Sequence, residues 1–432
     1  MSHKLSQTTE NPDTKATLVP RLRFPEFRKA GDWTTEKLGS LASISTEKVG
    51  NAACVPMSIT SGVGLVSQED KFGRVIAGDS YKNYLLLKQN DFAYNKSATK
   101  EYPEGFLALY SGSKLAAVPN SIFTCFRVNG ESPVPAYLNY LFLGNLHGQW
   151  LRKFIQVGAR AHGSLSINDS DLMALPVPLP TGAALVAEQQ KIADCLTSLD
   201  ELIAAQARKV DALKTHKKGL MQQIFPSEGE TQPRLRFPEF QNAGEWEERK
   251  AGSLFTHRST RGERGLPIYS VTMNDGMVRR DSLDRKVDDI EDAAGNKKVF
   301  QNDIAYNMMR MWQGAMGVAP EDCLVSPAYV VLAPKKDAVP QFFQYMFKLP
   351  AMLLVLTAHS RGLTKDRLRL YFDDFARIAF RCPTTKEQQR IADFLTSLDE
   401  CLAAATHELD TLKAHKKGLM QQLFPSAAAL EA

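Results

Sequence analysis

Two stretches of this chain carry amide, basic and aromatic side chains at matching places: Tyr94-Asn95-Lys96, and Tyr306-Asn307-Met-Met-Arg310 followed by Trp312 and Gln313. Asn, Gln and Arg suit paired hydrogen bonds to the edge of a nucleobase, so one chemistry these segments offer is contact with bases. An Asn at a strand exit also caps a turn through its own side chain, and that reading stands beside the first. A second matched pair, Arg160-Ala-His162-Gly163 and His359-Ser-Arg361-Gly362, sets basic groups beside a glycine. Glycine lets a backbone approach phosphate, and Arg there adds salt-dependent affinity. A helix C-cap with a basic residue facing the dipole gives the same pattern. Arg279 and Arg280 are further candidates, within a charge-dense stretch from Arg258 to Lys298. The acids Asp281, Asp284, Asp288, Asp289, Glu291 and Asp292 nearly cancel the bases there, as in a solvated loop.

Equipment for catalysis is not visible. The chain has no phosphate loop ending in GK[ST], no GxGxxG between strand and helix, and no His/Cys cluster at metal-ligand spacing. Gly62-Val-Gly64 alone is too little. His216 and His415 lie beside Lys217 and Lys416, away from any nucleophile or acid. The six cysteines, Cys54, Cys125, Cys195, Cys323, Cys382 and Cys401, are scattered, which implies reduced, mostly buried thiols. With 44% apolar and 23% charged residues the chain is folded, and its 432 residues suffice for two or three domains. A net charge of +5 permits nucleic-acid binding without requiring it. The polar opening to Val19 lacks the apolar core of a secretory signal and reads as a flexible tail, and no apolar run is long enough to span a bilayer. The expectation is a cytoplasmic protein with no membrane contact and no cofactor or metal of its own.

The elements that must position these residues come from an internal duplication. Pro20-Arg-Leu-Arg-Phe-Pro-Glu-Phe27 returns as Pro233-Arg-Leu-Arg-Phe-Pro-Glu-Phe240, and Gly31 and Trp33 return as Gly244 and Trp246 at the same offset of 213. Glu188 to Ser227 returns as Glu387 to Ser426 at an offset of 199, with 28 of 40 positions identical. Weaker echoes lie between: Gln89-Asn-Asp with Gln301-Asn-Asp, and Val134-Pro135, Tyr140 and Phe142 with Val339-Pro340, Tyr345 and Phe347. Each half is thus a constant octapeptide, a divergent head and a constant helix.

In the first constant helix Ile192, Leu196, Leu199, Ile203, Gln206, Val210, Leu213, Lys217, Leu220 and Ile224 alternate spacings of four and three, a heptad seam. Ile391, Leu395, Leu398, Leu402, Ala405, Leu409, Leu412, Lys416, Leu419 and Leu423 repeat it. Phe225-Pro226 and Phe424-Pro425 end the two helices. A single such stripe is ordinarily the core face of a globular helix; two near-identical ones favour packing on each other as an intrachain coiled coil. An antiparallel pair would put the heads at opposite ends. It would run roughly 50 Å, about one and a half turns of duplex, and could fix a gap between two DNA half-sites.

The heads, about 35–183 and 248–383, read as mixed α/β. Strands are expected at Tyr84–Lys88, Ile122–Arg127 and Tyr329–Ala333, and one longer helix each at Ala136–Ile155 and Gln341–Leu356. The expected layout is a tail (1–19), first head with its octapeptide (20–184), first helix (185–226), linker (227–232), second head (233–384), second helix (385–425) and tail (426–432).

The octapeptides with their Gly and Trp, Glu188-Gln-Gln-Lys-Ile192 and Glu387-Gln-Gln-Arg-Ile391, and Lys-Lys-Gly-Leu-Met-Gln-Gln at 217–223 and 416–422 resemble the specificity subunits of type I restriction-modification systems. The resemblance spans nearly the whole chain. It implies two α/β target recognition domains separated by an antiparallel intrachain coiled coil, in a pseudo-twofold repeat. Each domain would read one half of a split sequence in double-stranded DNA, and the helices would set the spacer. It further implies a non-catalytic subunit that recruits two methyltransferase subunits, which bind S-adenosylmethionine, and restriction/translocase subunits in the full complex. The supports would be near-identical because identical partners dock on them. A plain protein scaffold and a self-sufficient methyltransferase are the alternatives: the first would show no salt-dependent binding to a split site, and the second would bind S-adenosylmethionine alone.

Overall fold

The computed structural model describes residues 18–60, 62–155, 163–282 and 295–425. They fall into two compact units, Met1–Gln206 with Glu408–Ala432, and Ala207–His407. Each unit therefore holds one head, the near half of the helix that leaves it and the far half of the other helix.

Each head is built on a four-stranded antiparallel sheet of the same order. In the first head the order is Ala42–Ser45, Phe123–Val128, Phe92–Asn95, Phe106–Leu109. In the second it is Phe255–Arg258, Tyr329–Pro334, Ile304–Asn307, Met316–Val318. These strands are apolar in long runs because both faces are covered: Phe92, Ala93 and Tyr94 are all fully buried, as are Ile304, Ala305 and Tyr306. Beyond this shared sheet the heads differ. The first adds a second four-stranded sheet, ordered Gly64–Ser67, Val55–Thr60, Ala116–Val118, Leu85–Leu87. The second has two separate pairs, Tyr269–Val271 with Met277–Arg279 and Lys297–Val299 with Cys323–Val325. The expected strands at 84–88, 122–127 and 329–333 are present within a residue or two.

The Gln-Asn-Asp echo is a turn between strands. Asn90 and Asn302 both stand at φ +69°, a left-handed conformation that Asn tolerates better than most side chains. Asp91 then accepts a hydrogen bond from the Lys88 amide at 2.8 Å, and Asp303 one from the Phe300 amide at 3.1 Å. Both carboxylates are buried, and each is answered by an arginine: Arg127 at 2.6 Å from Asp91, Arg258 at 2.7 Å from Asp303.

The single helices expected over 136–155 and 341–356 are each two. Pro135–Leu143 stops at Gly144, Asn145 turns left-handed at φ +64°, and Leu146–Leu151 resumes. In the second head Pro340–Phe347 is followed by Pro350–Ala358. Pro350 clashes with a helical residue before it, and Leu349 accordingly sits extended at ψ 139°. An apolar run with no polar stripe hid both breaks.

The constant helices run Leu185–Ile224 and Thr385–Leu423, ending just before Phe225-Pro226 and Phe424-Pro425. Every expected seam residue, Leu196, Leu199, Ile203, Val210, Leu213, Leu220, Leu395, Leu398, Leu402, Leu409, Leu412 and Leu419 among them, is buried or half-buried. The pairing is antiparallel within each unit. Asp200 of the first helix meets Lys416 of the second at 2.5 Å, and Asp399 of the second meets Lys217 of the first. Gln206, 8% exposed, donates to Glu408 at 2.8 Å.

Candidate nucleic-acid interface

The root of each head is fixed first. Thr34–Lys37 pairs with Pro176–Leu179, and Glu247–Lys250 with Ala379–Cys382, so the strand entering each head lies against the one leaving it. The second arginine of each octapeptide locks this root to the helix. Arg23 grips Glu188 through two hydrogen bonds of 2.7 Å, and Arg236 grips Glu387 likewise, with both partners of each pair almost wholly buried. Arg23 also donates to the Ala30 and Gly31 carbonyls, and Arg236 to those of Ala243 and Gly244. Gln189 and Gln388 accept from the Val134 and Val339 amides, which joins the helix to the Val-Pro echo. The Glu-Gln-Gln motif and the octapeptide are thus one fastening.

Tyr140 and Tyr345 tie head to helix pair. Tyr140 donates to Asp200 at 2.8 Å and Tyr345 to Asp399 at 2.7 Å, while Lys416 and Lys217 take the other carboxylate oxygen. Burial, reinforced by the neighbouring Asp, holds both phenols far above their ordinary pKa, so they act as fixed donors. The polar lysine in each seam is therefore matched, not stranded.

On this frame the two candidate segments of each head come together. In the first head the strand Phe92–Asn95 exits at Lys96, whose carbonyl accepts from the Leu165 amide at 2.6 Å. Ser97 and Ala98 pair with Ser164 and Gly163. In the second, the Met308 carbonyl accepts from the Leu370 amide at 3.0 Å, and the buried Tyr306 hydroxyl donates to the Leu370 carbonyl at 3.2 Å. Arg361 and Arg369 exchange backbone bonds of 2.9 and 2.8 Å beside it. Arg160 and His162 lie outside the described residues.

The side chains in these segments are differently engaged. The Asn95 Oδ1 accepts from the Ser97 amide at 2.9 Å and the Asn307 Oδ1 from the Met309 amide at 3.0 Å, so both asparagines cap turns. Lys96 lies 3.1 Å from Asp169, which also accepts from the Thr124 hydroxyl at 2.7 Å. Burial pushes the Asp169 carboxyl up, but Thr124 and Lys96 outweigh it and hold the group below its usual value. Arg310 donates to Gln313 at 3.2 Å on the exposed turn, and the Trp312 indole donates to the Met309 carbonyl at 3.2 Å. Arg361 donates to Asp374 at 2.7 Å over the Tyr371 ring. His359 closes the helix Pro350–Ala358 as its C-cap.

Arg279 and Arg280 are not brought into this loop pair. They end the separate strand pair, where Arg279 lies 3.0 Å from Asp281 and Arg280 donates to Ser270 at 3.2 Å. Asp284, Asp288, Asp289, Glu291 and Asp292 lie outside the described residues. Arg367 and Arg369, unremarked in the sequence reading, are exposed on the loop that joins Arg361 to Met308, and neither has an ion-pair partner among the described residues. Leu363 on the same loop is 101% exposed. The signal was the alternation Lys365-Asp-Arg367-Leu-Arg369, every second residue basic. Among the described residues no cluster of three or more His, Cys, Asp or Glu could hold a metal ion, and no helix is long and apolar enough to cross a membrane.

Residues 243–414 match the type I restriction modification DNA specificity domain. The type I restriction enzyme MjaX specificity subunit of Methanocaldococcus jannaschii is 23% identical over 338 residues, 74% of each chain. Of solved structures, the type I restriction-modification system S subunit from M. genitalium superposes with a TM-score of 0.58 at 15% identity, covering 95% of this chain and 100% of its own. A chain of a solved type I R-M system superposes at 0.52 and 15% identity, covering 91% and 98%.

Proposed function

Because this chain belongs to the specificity subunits of type I restriction-modification systems, whose work is DNA target recognition, we propose that each head reads one half of a bipartite DNA sequence through its paired loops. The supporting observation is that both heads join the same two loop segments by the same backbone bond, Leu165 to Lys96 and Leu370 to Met308, while the side chains they present differ. One scaffold with two different readers suits an asymmetric target. Arg310, Trp312, Gln313, Arg361, Arg367 and Arg369 would face DNA in the second head, and Lys96 in the first; Arg160 and His162, outside the described residues, are candidates from the sequence alone. Arginines there supply phosphate contacts and paired bonds to guanine.

The helix pair would set the spacer. The near-identical supports, each an octapeptide fastened to a helix, would each dock a methyltransferase subunit, with restriction/translocase subunits joining the full complex in the cytoplasm. Methylation, with its S-adenosylmethionine, would reside in those partners and not in this chain. The test maps methylated adenines in cells carrying the wild-type gene or one whose first head, residues 35–183, is exchanged. One half of the motif should change and the other persist; a change in both halves would sink the modular reading.

A further inference from the structure

In the first unit a groove of about 740 Å³ opens between the helices Pro135–Leu143 and Leu146–Leu151, the segment Val19–Arg21 and the last turns of the second constant helix. Leu141, Met420 and Phe424 form its floor, and Arg21, Lys413, Lys416 and Lys417 line its sides. Lys416 is committed to Asp200, and Lys413 has its helical neighbour Asp410 at 3.9 Å. Among the described residues no acidic side chain lines the groove. An apolar floor under a cationic rim calls for an occupant with both apolar anchors and carboxylates.

The second unit shows what answers this position. Arg234 is the repeat of Arg21, and both its Nε and Nη2 donate to Glu230 of the connector, at 3.1 and 3.0 Å. Glu230 is in turn held by the Ser227 amide at 3.0 Å. The same arginine that carries a carboxylate of its own chain in one unit has no ion-pair partner among the described residues in the other.

We propose that the groove of the first unit docks an acidic, amphipathic segment of a methyltransferase subunit, and that Glu230 competes with the corresponding segment at the second unit. The two supports, near-identical in sequence, are then unequal docking sites, the first the stronger. This rests on the reading that each support docks one methyltransferase subunit. A phosphate backbone would use the lysines but not the Leu, Met and Phe floor.

The experiment titrates the intact chain with the methyltransferase subunit of the same restriction-modification system, counting bound copies by native mass spectrometry and measuring each step by calorimetry. Two steps of unequal affinity are expected. Lys413→Glu with Lys417→Glu should weaken the tighter step by about tenfold, since reversing two exposed charges removes of the order of 1.4 kcal/mol, and should leave thermal melting in place. Glu230→Gln should strengthen the weaker step, a gain that misfolding cannot produce. Two copies bound with unaltered affinities by the Lys413/Lys417 variant would overturn the groove assignment. Loss of duplex DNA binding with subunit binding intact would overturn it in favour of phosphate. A wild-type chain that binds no methyltransferase subunit would remove the docking reading and this inference together.

Discussion

His147 sits 1% exposed in the first head, between the rings of Tyr94 and Phe142, with Nε2 3.4 Å from the Gly105 carbonyl. Desolvation lowers its pKa from 6.5 to about 4, against smaller opposing effects of that carbonyl and Glu104. A histidine whose folded pKa lies below its unfolded one contributes stability that is complete above pH 6.5 and drains away as pH falls toward 4. Melting of the first head should therefore weaken by roughly 2 kcal/mol between pH 7 and pH 5. His147→Leu should flatten that dependence; an unchanged slope would mean other groups govern it. Arg367 and Arg369 belong to the same scale. Arg369→Ala should weaken DNA binding about equally for all sequences and reduce the salt slope by about 1, as expected for a phosphate contact. A loss confined to one target base would instead make it a base reader. Neither His147 nor these arginines was legible in full beforehand. Burial of a histidine depends on strands distant in sequence, and the asparagines that looked like readers turned out to have their carbonyls occupied by the next turn.

At the scale of elements, the constant helices were readable because a heptad pattern is local, and duplication made it unmistakable. What the sequence hid is how their ends are used. Phe424 packs 5.5 Å from Tyr137 in the first unit, and Phe225 lies 5.4 Å from Phe342 and 6.2 Å from Trp246 in the second. The Phe-Pro that stops each helix is therefore a plug for the core of a head, and both rings are almost wholly buried. Phe225→Ala should cost about 3 to 4 kcal/mol, as for other buried aromatic deletions, lowering the denaturant midpoint of the second unit ahead of the first. A surface-like cost below about 1 kcal/mol would contradict the plug. The Arg23 and Glu188 pairing was also out of sight. Its two halves repeat at different offsets, 213 and 199, because the second head is shorter, so no fixed spacing links them. The broken head helices were missed for a third reason: apolar residues such as Leu354, 72% exposed, stand on their outer faces too, so no polar stripe marks a boundary.

Across the whole molecule the duplication extends to its joints. The Leu22 amide donates to the Gln422 carbonyl at 2.9 Å and the Leu235 amide to that of Gln223 at 2.9 Å. The Trp33 amide bonds the Leu18 carbonyl at 3.0 Å, as the Trp246 amide bonds that of Thr231 at 3.1 Å. In one unit these neighbours are joined by the connector Ser227-Glu228-Gly229-Glu230 after Pro226; in the other Pro425 and Leu18 occupy the same places without a covalent link between them. A chain in which Ser-Glu-Gly-Glu joins Pro425 to Leu18, opened between Glu228 and Gly229, keeps the four joint bonds just named and gives up only the Ser227–Glu230 turn of the original connector. Loop closure over so short a span adds little entropy cost, because the ends already lie in register. Such a permuted chain should melt within a few degrees of the original and direct methylation to the same motif with the same gap, read by sequencing methylated adenines in cells. Folding with a changed gap would mean that the original connector, and not the helix pair, sets the spacing.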